Sequence, residues 1–210
     1  MLDCTTPKYH TLYARWLRHD DGLLDRGGLK RGDRVVDLCG GTGVISRQAL
    51  GRGASEVVLF DLNPRPFEDF DPRGAFVVVK GAAEEAHKLL APAFYDLVVC
   101  RQAIGYLDLA KTAASVAAVL KPGGRFVFNT FGKPRWLAKT YVLDGKRFFE
   151  AAGFLGDRVV HLQAGLGIGL DVTKFRWHKP AEIRAAMEKH FDVTEESRKN
   201  SFYYLCRKPL

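Results

Sequence analysis

The stretch Val35 to Ser46, VVDLCGGTGVIS, constrains this chain more than any other. Val35, Val36 and Leu38 form a short apolar run suited to a strand buried on both faces. Gly40, Gly41 and Gly43 follow at once, and a backbone without Cβ atoms can turn sharply and approach a ligand closely. Val44 to Leu50 then reads as a helix whose first amides point back at the turn. Strand, glycine turn and helix in this order make the opening unit of an α/β sheet of nucleotide-binding type.

The charge beside the turn narrows the ligand. Gly41 to Ser46 nearly matches the G-x-G-x-x-G/A pattern of dinucleotide sites, in which a pyrophosphate lies on bare amides at a helix N-terminus. Asp37, at the expected strand end, would repel a phosphate there. S-adenosylmethionine has no phosphate; it carries an ammonium and a sulfonium, which a carboxylate attracts. The stretch resembles motif I of class I methyltransferases, in which an Asp stands three residues before the first glycine of the turn, as Asp37 does before Gly40. A second apolar run, Val57 to Phe60, ends in Asp61, Leu62, Asn63 and Pro64. Asp61 falls about twenty residues beyond Gly41, where an acidic side chain can accept both ribose hydroxyls.

Other segments carry the same resemblance. Phe76 to Val79 reads as the third strand, and Gly81-Ala82-Ala83-Glu84 after it is similar to the family's motif II, G-D-A-E. Ala82 stands where that motif has an Asp for the adenine amino group, so the resemblance moves this role to the backbone at Ala83 or the carboxylate of Glu84. Tyr95 to Cys100 is the fourth strand. Arg101, Gln102, Ala103, Ile104, Gly105 and Tyr106 follow at its carboxyl end, where open sheets of this kind place ligands. That run resembles the R-Q-A-L-H-H type of motif IV in small-molecule methyltransferases, with Gly105 at the first His, and not the N-P-P-Y type that acts on DNA bases. Leu109, Thr112, Ala113, Val116, Val119 and Leu120 give a helix face at 3.6 periodicity. LKPGGRFVFNTF, Leu120 to Phe131, reads as a Pro-Gly-Gly turn followed by the fifth strand.

The flanks are expected to cover the site. Lys8 to Leu24 reads as a helix with a stripe at Tyr9, Leu12, Tyr13, Trp16 and Leu17. By resemblance this helix covers the cofactor, with Tyr9 or Tyr13 offering a hydroxyl. Between Asp61 and the third strand, NPRPFEDFDPRG holds too much proline for a long helix and reads as a loop. Residues 132–179 hold nine Lys or Arg against four Asp or Glu, together with Trp136, Tyr141 and Trp177. A helix is expected around Trp136 to Ala152, and Arg158 to Gln163 is expected to pair with Asp171 to Trp177 about the GLGIG segment. Small-molecule methyltransferases carry a substrate lid at this point, and the resemblance assigns that role to 132–179 within a single domain spanning 1–210. Pro180, Ile183, Met187 and Phe191 mark a last amphipathic helix. Asp192 to Ser197 and Phe202 to Arg207 make a closing hairpin with its turn near Lys199 and Asn200. The implied fold is a Rossmann-like seven-stranded sheet of order 3-2-1-4-5-7-6, with strand seven antiparallel and helices on both faces.

Composition excludes several classes. No apolar stretch approaches the roughly 18 residues of a membrane span, and Met1 to Thr6 lacks the regions of a signal peptide. Cys4, Cys39, Cys100 and Cys206 show no C-x-x-C pairing, so neither zinc nor a disulfide frame is indicated. A reduced, cytoplasmic protein with no metal is the expectation. The net charge of +8 permits a nucleic-acid partner. With no dense Lys/Arg block, it reads instead as a solvated surface.

The function expected is methyl transfer from S-adenosylmethionine, leaving S-adenosylhomocysteine, to an oxygen, nitrogen or carbon centre of a small molecule. The excess of base in 132–179 favours an anionic acceptor. The alternatives are a nucleic-acid methyltransferase and a non-catalytic cofactor-binding subunit. Resemblance places cofactor contacts at Tyr9, Asp37, Cys39, Gly40, Gly41, Gly43, Asp61, Leu62, Ala83, Glu84 and Arg101, and acceptor contacts at Tyr106, Trp136 and His178. No catalytic base is assigned, since His10, Tyr106 and His178 each suit packing or the surface as well.

Overall fold

The computed structural model describes residues 22–64, 75–131, 162–163, 171–172, 178–198 and 201–210. The expected helix over Trp136 to Ala152, the aromatic stripe from Tyr9 to Leu17, the loop over 65–74 and the Lys199–Asn200 turn lie outside these residues. Seven strands form one sheet: β1 Arg34–Leu38, β2 Glu56–Asp61, β3 Phe76–Lys80, β4 Tyr95–Arg101, β5 Leu120–Phe131, β6 Asp192–Arg198 and β7 Ser201–Arg207. Their spatial order is β3-β2-β1-β4-β5-β7-β6, as expected. The first five are parallel, and β7 runs antiparallel to both β5 and β6.

Both faces of the sheet are covered, which is why β1 carries apolar side chains at the successive positions Val35 and Val36 and again at Leu38. Val35 and Val36 point to opposite faces, and both are fully buried. On one face Val35, Val57, Leu97 and Val127 pack with Leu23 and Leu24 of α1 (Leu23–Arg26) and Ile45 and Ala49 of α2 (Val44–Gly51). On the other, Val36, Val58, Phe126 and Phe128 meet three further helices. These are α3 (Ala86–Leu89), α4 (Leu109–Val119) and α5 (Pro180–Met187). Phe128 and Tyr204 are cross-strand partners and stack, with centroids 4.9 Å apart. β3 is one edge of the sheet, and its Val77 and Val78 are both exposed.

Helix ends follow local chemistry. Asp108 caps α4 by accepting from the Lys111 amide at 3.1 Å. Pro180 opens α5, and Glu182 reaches back to the Lys179 amide at 3.1 Å. Ile183, Met187 and Phe191 are buried, as their spacing predicts. The Pro-Gly-Gly turn departs from expectation. Tyr95 pairs with Leu120 and Leu97 with Arg125, so Lys121 to Gly124 bulge out within β5 rather than precede it. Pro122 has no amide to donate and Gly123 adopts φ 73°, which fit a bulge. Of the hairpin expected around GLGIG, Leu162–Gln163 pairs antiparallel with Asp171–Val172. No helix of the described residues is long and apolar enough to cross a membrane.

Candidate functional site

The site is assembled at the carboxyl ends of β1, β2, β4 and β5. After Leu38 the chain turns under the end of β2, where the Phe60 carbonyl accepts the Cys39 amide at 2.7 Å and the Gly40 amide at 3.3 Å. A Cβ at Gly40 would collide with Leu59 and lie 2.5 Å from the Asp37 carboxyl carbon, so the turn closes only with glycine there. Gly41 has the opposite surroundings. Its φ is 55°, and nothing lies within 4 Å of a Cβ built on it. The backbone is bare on that side, ready for a ligand at close approach.

Two carboxylates flank the turn. Asp37 is 1% exposed, and its Oδ2 accepts both the Ser46 amide at 2.9 Å and the Ser46 hydroxyl at 2.7 Å. Burial pushes its pKa up to about 6, against the Ser46 hydrogen bonds and the Arg101 charge, which pull it down. Asp37 therefore braces the first turn of α2 from beneath, and its charge reaches a ligand through the loop rather than by open contact. Asp61 lies on the outer side. Its Oδ2 accepts the Gly41 amide at 2.9 Å and its Oδ1 the Asn63 amide at 2.7 Å. Each oxygen keeps a further lone pair for a hydroxyl donor. Leu62, next to it, is 54% exposed.

The neighbouring strand ends complete the rim. Ala83 is buried at the start of a 3₁₀ turn, Ala83–Glu85. Glu84 accepts the Asp108 amide at 3.0 Å, tying this turn to the segment after β4. Arg101 ends β4. Gln102 follows with φ 55°, held by its amide's 2.8 Å hydrogen bond to Asn129 Oδ1 on β5. Tyr106, in the 3₁₀ turn Ile104–Tyr106, is half-exposed. His178 is buried just before α5. Tyr9, His10 and Trp136 lie outside the described residues.

The left-handed backbone at two positions and two polar groups were not foreseen in the sequence reading. Cys39 and Gln102 are non-glycine residues in the left-handed region, at the ends of adjacent strands. Such strain concentrates at ligand sites. The neighbouring Cys100 thiol, together with burial, pushes the Cys39 pKa well up. Ser46 and Asn129 are buried and hold Asp37 and the Gln102 amide in place. The polar Asn129 after the apolar run Phe126 to Phe128 was the one signal available. Among the described residues no cluster of His, Cys, Asp or Glu could hold a metal ion.

Comparison with known proteins agrees with this fold. Residues 10–190 match a family described as a methyltransferase domain. The chain is 32% identical over 143 residues to a ubiquinone/menaquinone biosynthesis C-methyltransferase of Francisella philomiragia, covering 63% of this chain and 56% of that one. To the enzyme of the same name from Azotobacter vinelandii it is 30% identical over 165 residues, covering 74% and 63%. The matched part is thus between half and two thirds of the length of these relatives. Among solved structures, an S-adenosylmethionine dependent methyltransferase from Mesorhizobium loti superposes with a TM-score of 0.69 at 21% identity, covering 90% of this chain and 96% of that one. Phosphoethanolamine N-methyltransferase 2 of Haemonchus contortus gives 0.69 at 15% identity, covering 99% and 58%. With the sheet order, the glycine turn and its two carboxylates already in place, the match over residues 10–190 makes the chain a member of the methyltransferase-domain family.

Proposed function

We propose that this protein transfers the methyl group of S-adenosylmethionine to a small-molecule acceptor and releases S-adenosylhomocysteine. The observation that carries the reading is Asp61 hydrogen-bonded to the amide of Gly41, a glycine with open space where a Cβ would stand. The residues present fit this cofactor. Asp61 has lone pairs to spare for two ribose hydroxyls, exposed Leu62 offers an apolar surface beside it, and no cation in the turn calls for a phosphate. Gly40, Gly41, Gly43 and Cys39 would line the methionine side, with Asp37 setting the charge beneath. Ala83, Glu84 and Arg101 form the far rim, and Tyr9 is the further cofactor contact.

When bound, the cofactor's sulfonium supplies an already activated methyl group. The chain's share is to hold the acceptor in line with the C–S bond and keep water out. Tyr106, half-exposed beyond β4, is favoured over buried His178 as the group facing the acceptor. Trp136 and the rest of 132–179 serve as the lid of a single domain. The relatives' role as C-methyltransferases in ubiquinone and menaquinone biosynthesis favours a carbon centre among the possible acceptor atoms. The excess of base in 132–179 supports an anionic acceptor. Unpaired cysteine thiols and the lack of a membrane-spanning helix among the described residues support a cytoplasmic setting.

The test is calorimetric and chemical. S-adenosylhomocysteine should bind and NAD should not, and radiolabel from the methyl donor should pass into the small-molecule fraction of a cell extract. Tighter binding of NAD would sink the cofactor reading. Label recovered in RNA or DNA at physiological salt would replace the small-molecule acceptor by a nucleic acid.

A further inference from the structure

A cavity lies at the end of the sheet opposite the glycine turn. It encloses about 440 Å³ between the end of α1, the Pro-Gly-Gly bulge of β5 and the end of β7. Five cationic residues line it: Arg26, Lys30, Lys121, Arg125 and Arg207. Only two carboxylates do so, and both are occupied. Asp33 Oδ2 accepts the Lys30 amide at 2.9 Å and Arg125 Nη2 at 2.6 Å. Asp96 accepts Lys121 Nζ at 2.6 Å and the Arg34 amide at 2.9 Å. Arg26 reaches Glu196 at 3.1 Å and covers the Tyr203 ring.

Positive charge is therefore left over. Lys30 and Arg207 are exposed and make no ion pair among the described residues. Arg207 also stands directly opposite Arg125 in the β5–β7 ladder, and like charges facing each other across a strand pair are destabilising. Asp33 neutralises one of the two; an anion in the cavity would neutralise the other. The walls offer cations in several directions, which suits a ligand bearing several charged oxygens better than a single carboxylate.

We propose that this cavity is a binding site for a small polyphosphate, either free pyrophosphate or the di- or triphosphate group of a nucleotide, separate from the cofactor site. The sequence hides it, because its charges come from four segments and form no run.

The experiment titrates pyrophosphate, ADP and adenosine into the intact protein saturated with S-adenosylhomocysteine, with sulfate at equal ionic strength as reference. Pyrophosphate should bind at least tenfold more tightly than sulfate. ADP binding more tightly than pyrophosphate would assign a nucleotide, and ADP binding no better would assign the free diphosphate; adenosine should not bind. Lys30→Gln and Arg207→Gln should each weaken pyrophosphate about tenfold, the loss of one charge-assisted contact. Both should leave affinity for S-adenosylhomocysteine unchanged, which also shows that the variants fold. Pyrophosphate no tighter than sulfate, equal affinity in the variants, or competition with S-adenosylhomocysteine would overturn the proposal. Binding of an oligonucleotide without pyrophosphate would overturn it too, in favour of a nucleic-acid surface.

Discussion

Asp37→Asn should make the ligand-free protein more stable, and the gain should depend on pH. Asp37 is buried, and its pKa is raised from 3.8 to about 6, chiefly by removal from water. Holding it ionised at pH 7.5 thus costs about 3 kcal/mol relative to the neutral acid, at 1.36 kcal/mol per unit. Asn keeps an oxygen for the Ser46 amide and hydroxyl without the charge. The sign follows from the raised value. The folded state binds the proton more tightly, so the wild type keeps its full stability below pH 3.8 and loses it as pH rises through 6. The advantage of Asn should be about 3 kcal/mol at pH 7.5, about half that at pH 5 and only a few tenths near pH 4. Urea unfolding of both proteins across this range measures it, with S-adenosylhomocysteine affinity followed in parallel. That affinity should fall in Asp37→Asn, because the cofactor's ammonium loses its countercharge. A stability difference that does not change between pH 4 and 7.5 would refute the argument, since burial of the charge would then not be its cause.

Other outcomes follow from single contacts. Asp61→Ala should weaken S-adenosylhomocysteine by about 2 kcal/mol, some thirtyfold in calorimetry, through loss of charge-assisted hydrogen bonds; an unchanged affinity would place the ribose elsewhere. Cys39→Gly should raise the urea midpoint slightly, because relief of the φ 58° conformation, about 1–2 kcal/mol, exceeds glycine's entropic cost of about 0.5–1 kcal/mol. A clear loss of stability would show that the Cys39–Cys100 contact outweighs the strain. Arg125→Ala should cost about 3 kcal/mol, because it strands Asp33, whose side chain is only 11% exposed. Lys121→Ala, at a more exposed pair, should cost less than about 1 kcal/mol. Equal losses by chemical denaturation would contradict the difference in burial.

What the sequence revealed and what it hid divide along physical lines. β1, its glycine turn and α2 were legible because burial on both faces and the need for Gly40 leave few other residue types possible there. Asp61 was legible by spacing alone, since the length of α2 sets where β2 must end. The inward bracing by Asp37 was not, because a strand-end carboxylate faces ligand or helix according to a loop path that no periodicity records. Cys39 and Gln102 carry side chains that disfavour their own backbone angles, so residue type pointed away from the conformation. Both are held by distant partners, the Phe60 carbonyl and Asn129. The Pro-Gly-Gly segment was recognised as a break, but whether a break becomes a turn or a bulge depends on the register against β4.

The position of β7 between β5 and β6 bears on how a nascent chain acquires this sheet. β6 hydrogen-bonds to β7 and not to β5, so during vectorial synthesis it emerges with no docking partner. Until residues 201–207 leave the ribosome, β5 presents an unpaired row of amides and carbonyls from Arg125 to Phe131. Phe126 and Phe128 belong to that row, so a stalled or truncated product would expose an apolar, template-like border of the kind that recruits other chains. The five parallel strands can assemble while translation continues. The last pairing must wait for the segment that threads between its neighbours, which makes its arrival the step at which an aggregation-prone intermediate becomes a closed molecule.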